Sequence, residues 1–226
     1  MGSNRGRLSV LCCVVFAICG HAGTFYADPV NGSTSGDGSS GSPWRTIQEV
    51  LDSGLVETRA YASNPPDSTT PLVPKNQGAP VQPGDTIVLR DGFHGRMFIR
   101  GAYNTEYVHV FAQAGHSPHV TNIHLSSVAR WHVRGLVASP EFSQPYTKVT
   151  LANIESHNWH GDAREGTLEA CSLYSVTNAA AWDTAQWDTL SCNAISVGGN
   201  QVTIRGNYCR NVNFGISVSG DSCLIE

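Results

Sequence analysis

Beyond Gly101 the chain alternates apolar and polar positions in short runs: VHVFAQ from Val108, WHVRGL from Trp131, VTLANI from Val149, GTLEAC from Gly166, VTIRGN from Val202 and CLIE from Cys223. A period of two places Val108 and Val110, Trp131 and Val133, Val149 and Leu151, and Val202 and Ile204 on one side of their strands. The runs also repeat one another, since VTLANIESHN and VTIRGNYCRN agree at the Val, the Thr and the final Asn. Successive runs start 23, 18, 17, 36 and 21 residues apart, and the gap of 36 holds two turns or one turn with an insertion. Spacings of about 20 residues belong to solenoids. Leucine-rich repeats would need several leucines per unit, which these runs lack. The pattern therefore predicts an all-β parallel β-helix. One coil cannot bury its inward residues alone, whereas coils stacked at about 4.8 Å pair their backbones and share a core. Asn207, Asn211 and Asn213 fit the corners between strands, where a left-handed backbone and a bonding side-chain amide are both useful.

The region before the repeats reads differently. Residues 31–42, NGSTSGDGSSGS, have no apolar period and form a loop. In SPWRTIQEVLDSGL, Ser42 is placed as an N-cap with Pro43 at the first helical position, Trp44, Ile47, Val50 and Leu51 give an apolar face, and Gly54 is a stop. This short helix is the expected cap for the N-terminal end of the stack, whose open strand edges need cover. Residues 61–82, rich in proline, are expected to be an irregular insertion. At the other end the chain stops inside a strand-like run at Glu226, so it is expected to be a fragment of a longer chain.

Residues 1–22 change the picture of where the protein works. Arg5 and Arg7 precede the apolar run at residues 8–19, and Gly20, His21 and Ala22 follow, which reads as a secretory signal peptide cut after Ala22. That run is too short to span a bilayer, which takes about 20 apolar residues. Residues 23–226 then form one exported β-helix domain, with the cap and first coil at residues 23–100 and the repeated coils at residues 101–226. A secreted or periplasmic monomer, free of the membrane once the leader is removed, is the expectation.

Charge excludes one class of partner. Two of the 14 basic groups leave with the leader, so 12 oppose 18 acidic ones, and no basic stripe offers a footprint for nucleic acid. Four cysteines remain, Cys171, Cys192, Cys209 and Cys223, as disulfide partners in an oxidising compartment or as small core residues.

Candidate chemistry falls in three places. On the outward side of the strands, the residue after the second inward one is Phe111, Arg134, Ala152, Glu169, Arg205 and Glu226 in turn. These read either as a ladder of charge pairs or as a catalytic column with Arg134 and Arg205 as its cations. The loop SHNWHGD gathers His157, Trp159, His160 and Asp162, of which His160 and Asp162 can act as acid and base. The insertion AAAWDTAQWDT repeats Trp182-Asp183-Thr184 as Trp187-Asp188-Thr189. Its tryptophans offer flat faces to sugar rings, and its carboxylates can bond hydroxyls, hold Ca²⁺ or serve as a glycosidase pair. Asp28 and Asp37 lack the spaced carboxylates of an EF-hand, and Asn31-Gly32-Ser33 fits a glycosylation sequon. No phosphate-binding loop, HExxH or serine elbow is present, and no organic cofactor is expected.

FYADPVNGSTSGDGSSGSPWRTIQEVL, then VQPGDTIVLRDGFH, then coils of the VTIRGN kind, resemble the start of secreted right-handed parallel β-helix proteins of the pectate-lyase-like superfamily. His94 stands where that opening motif usually ends in tyrosine, and residues 61–82 are an extra insertion. The superfamily includes polysaccharide lyases, glycoside hydrolases, uronan epimerases and non-catalytic surface proteins. The resemblance implies a secreted carbohydrate-active protein acting on a polysaccharide, foremost a lyase cleaving uronate chains by β-elimination, with Ca²⁺ as a possible cofactor. A non-catalytic surface protein and a hydrolase are its alternatives. No motif here matches the lyases' basic residue or calcium carboxylates, so none is carried over.

Overall fold

A computed structural model describes residues 22–226, so the leader reading lies, Ala22 apart, outside the described residues. The strands run in parallel ladders in a solenoid-like succession. The first ladder joins parts of Met97–Ala112 and Ile123–Arg134 to Thr150–Glu155, Asn193–Gly198 and Ile216–Val218. The second runs from Thr24–Ala27 through Thr86–Leu89, the C-terminal halves of the same two long strands, Thr167–Glu169 and Thr203–Arg205 to Leu224–Ile225. The third joins Gly92–Phe93, Pro118–Val120, Val137–Ala138, Ser172–Tyr174 and Tyr208–Arg210. Every pairing within these ladders is parallel, so equivalent residues stack in columns. Ile87, Val110, Val133, Leu168 and Ile204 follow one another in register and are buried, as are Ile99, Leu125, Ile154 and Val197.

One long strand serves two ladders because its backbone bends. Ser127 and Arg130, at φ 54° and 58°, turn Ile123–Arg134 from the first ladder to the second. The expected corner asparagines do bridge coils: Asn207 Oδ1 accepts from the Cys171 amide at 2.9 Å while its Nδ2 donates to the Leu168 carbonyl, and Asn211, at φ 50°, donates to the Val176 carbonyl. Among the described residues the four cysteines are free thiols, with Cys171 and Cys192 buried.

Several sequence expectations are corrected. VTLANI belongs to the first ladder and VTIRGN to the second, so they are not equivalent positions of successive coils. The spacings of 18 and 17 residues are two parts of one turn, and the gap of 36 is a single turn carrying a helix at Thr184–Leu190. Ala152 is accordingly buried in the first ladder and drops out of the outward column. The Pro-rich insertion is not irregular throughout: Thr58–Tyr61 pairs antiparallel with Leu72–Lys75, and Arg59 pairs with Tyr103.

The N-terminal helix spans Ile47–Asp52, and its N-cap is Thr46, whose Oγ1 accepts from the Glu49 amide, rather than Ser42. Trp44 is withheld from it because its amide donates to the Tyr26 carbonyl and its carbonyl accepts from the Asp28 amide, in line with the first strand. Its ring stacks on Phe25 at 5.3 Å. His94, fully buried, ties this helix to the first coil. Its Nδ1 accepts from the Ile47 amide at 3.3 Å, so Nε2 carries the proton toward the Arg90 carbonyl at 2.8 Å. Burial holds that imidazole below its ordinary value, as this neutral tautomer requires.

Asp28 is a structural anchor. It accepts from the amides of Val30 and Asn31, from the Asn31 side chain and from Arg90. Burial works to raise its carboxyl, but these bonds outweigh it and hold the group at about 2, below an ordinary 3.8. A depressed folded value gives stability that is present above the unfolded value and lost as pH falls through the folded one. Asp28→Asn is therefore expected to melt below the native protein at about pH 6, with the gap closing between about pH 4 and pH 2. Melting curves across that range check this, and a gap that stays constant would sink the assignment.

Candidate functional site

The richest concentration of chemistry lies where the hairpin meets the first ladder. Thr58–Tyr61 and Leu72–Lys75 lie beside the bend at Gly101, at φ 54°, and the loop at residues 156–162 covers the same corner from the next coil. That loop is pinned from below: Ser127 Oγ donates to the Gly161 carbonyl at 2.7 Å, and Tyr103 Oη donates to the carbonyls of His160 and Asp162 at 3.1 and 2.9 Å. Gly161, at φ 101°, is required, because a Cβ there would sit 2.5 Å from the Tyr61 ring and 2.6 Å from Tyr103 Oη.

Between hairpin, strand and loop is a cleft of about 260 Å³ lined by Tyr61, Asn64, Lys75, Arg100 and His160, with Ala60 and Gly101 as small wall residues. No carboxylate lines it. Lys75 Nζ donates to the carbonyls of Arg100 and Gly101 at 2.9 and 3.1 Å, which fixes its position and leaves one of the three ammonium protons for a ligand. Burial lowers the Lys75 ammonium from its ordinary value. The His160 imidazole is held below its ordinary value by burial, by the positive charge of Arg100 and by His157 and Lys75. His157 is its ring neighbour, with centroids 5.2 Å apart, and Trp159, 55 % exposed, stands between them in the loop.

Arg100 continues the site onto the outer surface of the first ladder. Its guanidinium lies 4.8 Å from the Phe98 ring, as that of Arg96 does at 4.7 Å from the opposite neighbour position, and Phe98 meets the His124 ring edge-on. His124 Nε2 is 2.9 Å from Glu155 Oε1, and Asn153 Nδ2 donates to Glu155 Oε2 at 2.8 Å. Burial tends to raise the Glu155 carboxyl, but bonds from His124 and Asn153 prevail and lower it.

The residues singled out from sequence divide among separate places. His160 lines the cleft. Asp162 lies beside it, but its carboxylate is held by Arg164 at 2.7 and 2.8 Å and accepts from Tyr61 Oη at 3.4 Å, so it orients Tyr61 rather than pairing with His160. Arg134 and Arg205 belong to the second ladder, in register with each other through Glu169, and neither lines the cleft. Arg134 lies 4.0 Å over the Phe111 ring, Arg205 pairs with Glu226 at 2.6 Å, and His132 Nε2 meets Glu169 Oε2 at 2.8 Å. Within that outward column one ion pair forms, between Arg205 and Glu226, while Arg134 lies over an aromatic ring and Glu169 bonds to His132 instead.

Trp182 and Trp187 pack edge-on at 5.1 Å and are only partly exposed. Asp183 is the N-cap of the helix Thr184–Leu190, accepting from the Gln186 amide while Gln186 bonds back. Asp188 is exposed on that helix. With Asp183 committed to the cap, the two carboxylates are not both free for a glycosidase pair. Calcium takes six to eight oxygen ligands. Among the described residues no three His, Cys, Asp or Glu side chains gather as a metal cluster. No helix among them is long and apolar enough to cross a membrane.

Sequence reasoning passed over Lys75, Arg100, Tyr61 and the His124–Glu155 pair. The alternation MFIR at residues 97–100 marks Phe98 and Arg100 as an outward pair on one strand, and that signal was available. Nothing local marks Lys75, which arrives through the hairpin.

No family model matches this chain, and none of the curated proteins matches it.

Proposed function

We propose that the chain is a secreted, monomeric, right-handed parallel β-helix of the pectate-lyase-like kind, closed at its N-terminal end by the helix Ile47–Asp52, and that it cleaves uronate-containing polysaccharides by β-elimination. One observation carries the reading. In a chain with more acidic than basic groups, Lys75, Arg100 and His160 line one cleft that no carboxylate enters. Such a cleft favours a polyanion, and its cations act most strongly where charge develops on the substrate.

The chemistry assigns a task to each group. Lys75 and Arg100 neutralise the uronate carboxylate, which acidifies the proton on the adjacent carbon and stabilises the negative charge that builds as it leaves. His160, kept neutral by the same cations, takes that proton at a ring nitrogen. The C–H electron pair forms the new carbon–carbon double bond, the glycosidic C–O bond breaks, and the departing oxygen takes a proton from a solvent water. Asp162 holds Tyr61 in place from behind. Trp159 offers its exposed face to a neighbouring sugar ring.

The test is the ultraviolet absorbance of the conjugated unsaturated uronate on a panel of uronate polysaccharides. A rise for the native protein that is lost in His160→Ala supports elimination. Absence of any rise or of new reducing ends, with polysaccharide still bound, points to the non-catalytic surface protein. New reducing ends without absorbance point to hydrolysis.

A further inference from the structure

A second recess, of about 200 Å³, adjoins the cleft, and Lys75 and Arg100 line both spaces. Its chemistry is different. Leu51 from the helix, Val56, Ile99 and Trp131 give it apolar walls. Thr58 also lines it, is 4 % exposed, and its Oγ1 is buried with no hydrogen-bond partner. A buried hydroxyl without a partner costs free energy unless a ligand meets it. The other neutral polar side chain lining the recess, Asn76, already donates to the Val56 carbonyl.

We propose that this recess is a subsite for an O-acyl substituent, such as an acetyl ester, on the uronate chain that the cleft binds; the inference rests on that polyanion reading. An acetyl group presents a methyl for the apolar wall and a carbonyl oxygen to accept from Thr58 Oγ1. An ester on the uronate carboxyl itself would instead remove the charge that Lys75 and Arg100 recognise. An O-acyl group on a sugar hydroxyl leaves that carboxylate free, so the cationic cleft and the apolar recess are filled together. The cations they share then fix the spacing between carboxylate and substituent.

The experiment uses the native protein and two probes: an O-acetylated uronate polysaccharide free of methyl esters, and the same preparation after alkaline deacetylation. Binding is read as retardation in gels containing each polymer. The native protein is expected to be retarded at about tenfold lower concentration of the acetylated form, the size of one net hydrogen bond with its apolar contact. Thr58→Val keeps the side-chain shape and suits a strand. It is expected to lose this preference, binding the deacetylated polymer as the native protein does, with a melting temperature no lower than the native one because an unpartnered buried hydroxyl is removed. Val56→Phe, which fills the recess, is expected to lose the preference too. Equal retardation of the native protein by both forms would overturn the subsite and leave the polyanion cleft standing. A preference that survives both substitutions would also overturn it. Retardation by neither form would overturn the polyanion reading and the subsite with it.

Discussion

Arg100→Gln is expected to lower kcat/KM on a uronate polysaccharide by roughly a hundred- to thousandfold, the loss that follows removal of one preorganised charge partner from a developing anion. The expectation rests on position. Arg100 lines the cleft and forms no ion pair with a carboxylate among the described residues; its guanidinium is steadied against the Phe98 ring instead. Glutamine keeps length and some hydrogen-bonding capacity, so the loss isolates charge. The same substitution has a second signature. Arg100 is, after burial, the largest influence holding His160 below its ordinary value. Removing that positive charge raises the imidazole, so the acid limb of the pH–rate profile moves to higher pH. Arg45→Gln, on the exposed end of the N-terminal helix, removes a cation of similar chemistry away from the cleft and serves as comparison. A loss of rate in Arg100→Gln without movement of the acid limb would separate Arg100 from His160 and sink the assigned pairing.

Trp131→Ala is expected to destabilise the protein by about 3–5 kcal/mol, as large-to-small changes of a buried aromatic do. Trp131 is 1 % exposed, faces inward opposite Val108, and is the largest of the fully buried side chains. Its indole Nε1 donates to the Ala102 carbonyl at 3.1 Å, so truncation leaves a cavity and also removes that acceptor's partner. In stacked units each coil gains its stability from its neighbours, so a hole here weakens both the long strands that carry the bend and the corner on which the cleft is built. Denaturant unfolding measures the change. Trp131→Phe, which retains most of the volume but not the donor, is expected to fall between the two. A midpoint for Trp131→Ala within error of the native protein would mean that the core is not continuous at this level.

The inward columns were legible before any coordinates. Val110, Val133 and Ile204 recur in alternating runs, and side chains at alternate strand positions must go to opposite faces. For the same reason Phe111, Arg134, Glu169 and Arg205 could be placed on one outward line, which the register bears out. Parity does not say which ladder a strand joins. VTLANI and VTIRGN open alike with Val-Thr and a branched apolar residue, and the ten-residue runs they begin share a final asparagine, yet they lie in different ladders, because turn lengths and packing of neighbours set the register. Ala152 was misplaced on that account.

The candidate site was much less legible. Its groups come from residues 60–64, 75, 100–101 and 160, and the contact that orients Tyr61 joins it to Asp162 across 101 positions of sequence. Local pattern singled out His160 and Asp162 because they share a loop, but the loop does not make them partners; Arg164 lies nearer to the carboxylate and carries a permanent charge. Proline-rich composition signalled a break in the repeat, and it carried no information that the segment would pair Thr58–Tyr61 with Leu72–Lys75 and bring Lys75 to the corner.

By itself, then, the sequence determined the parallel stacked strands, the inward face of the recurring columns such as Val110, Val133 and Ile204, and the short amphipathic helix, since these follow from periods of two and of about 3.6 residues within short windows. Tertiary structure decided the assignment of strands to ladders, the fold of the insertion and the convergence of Lys75, Arg100 and His160. Those depend on contacts between distant segments, whose free energies are set by burial and register that no local window contains.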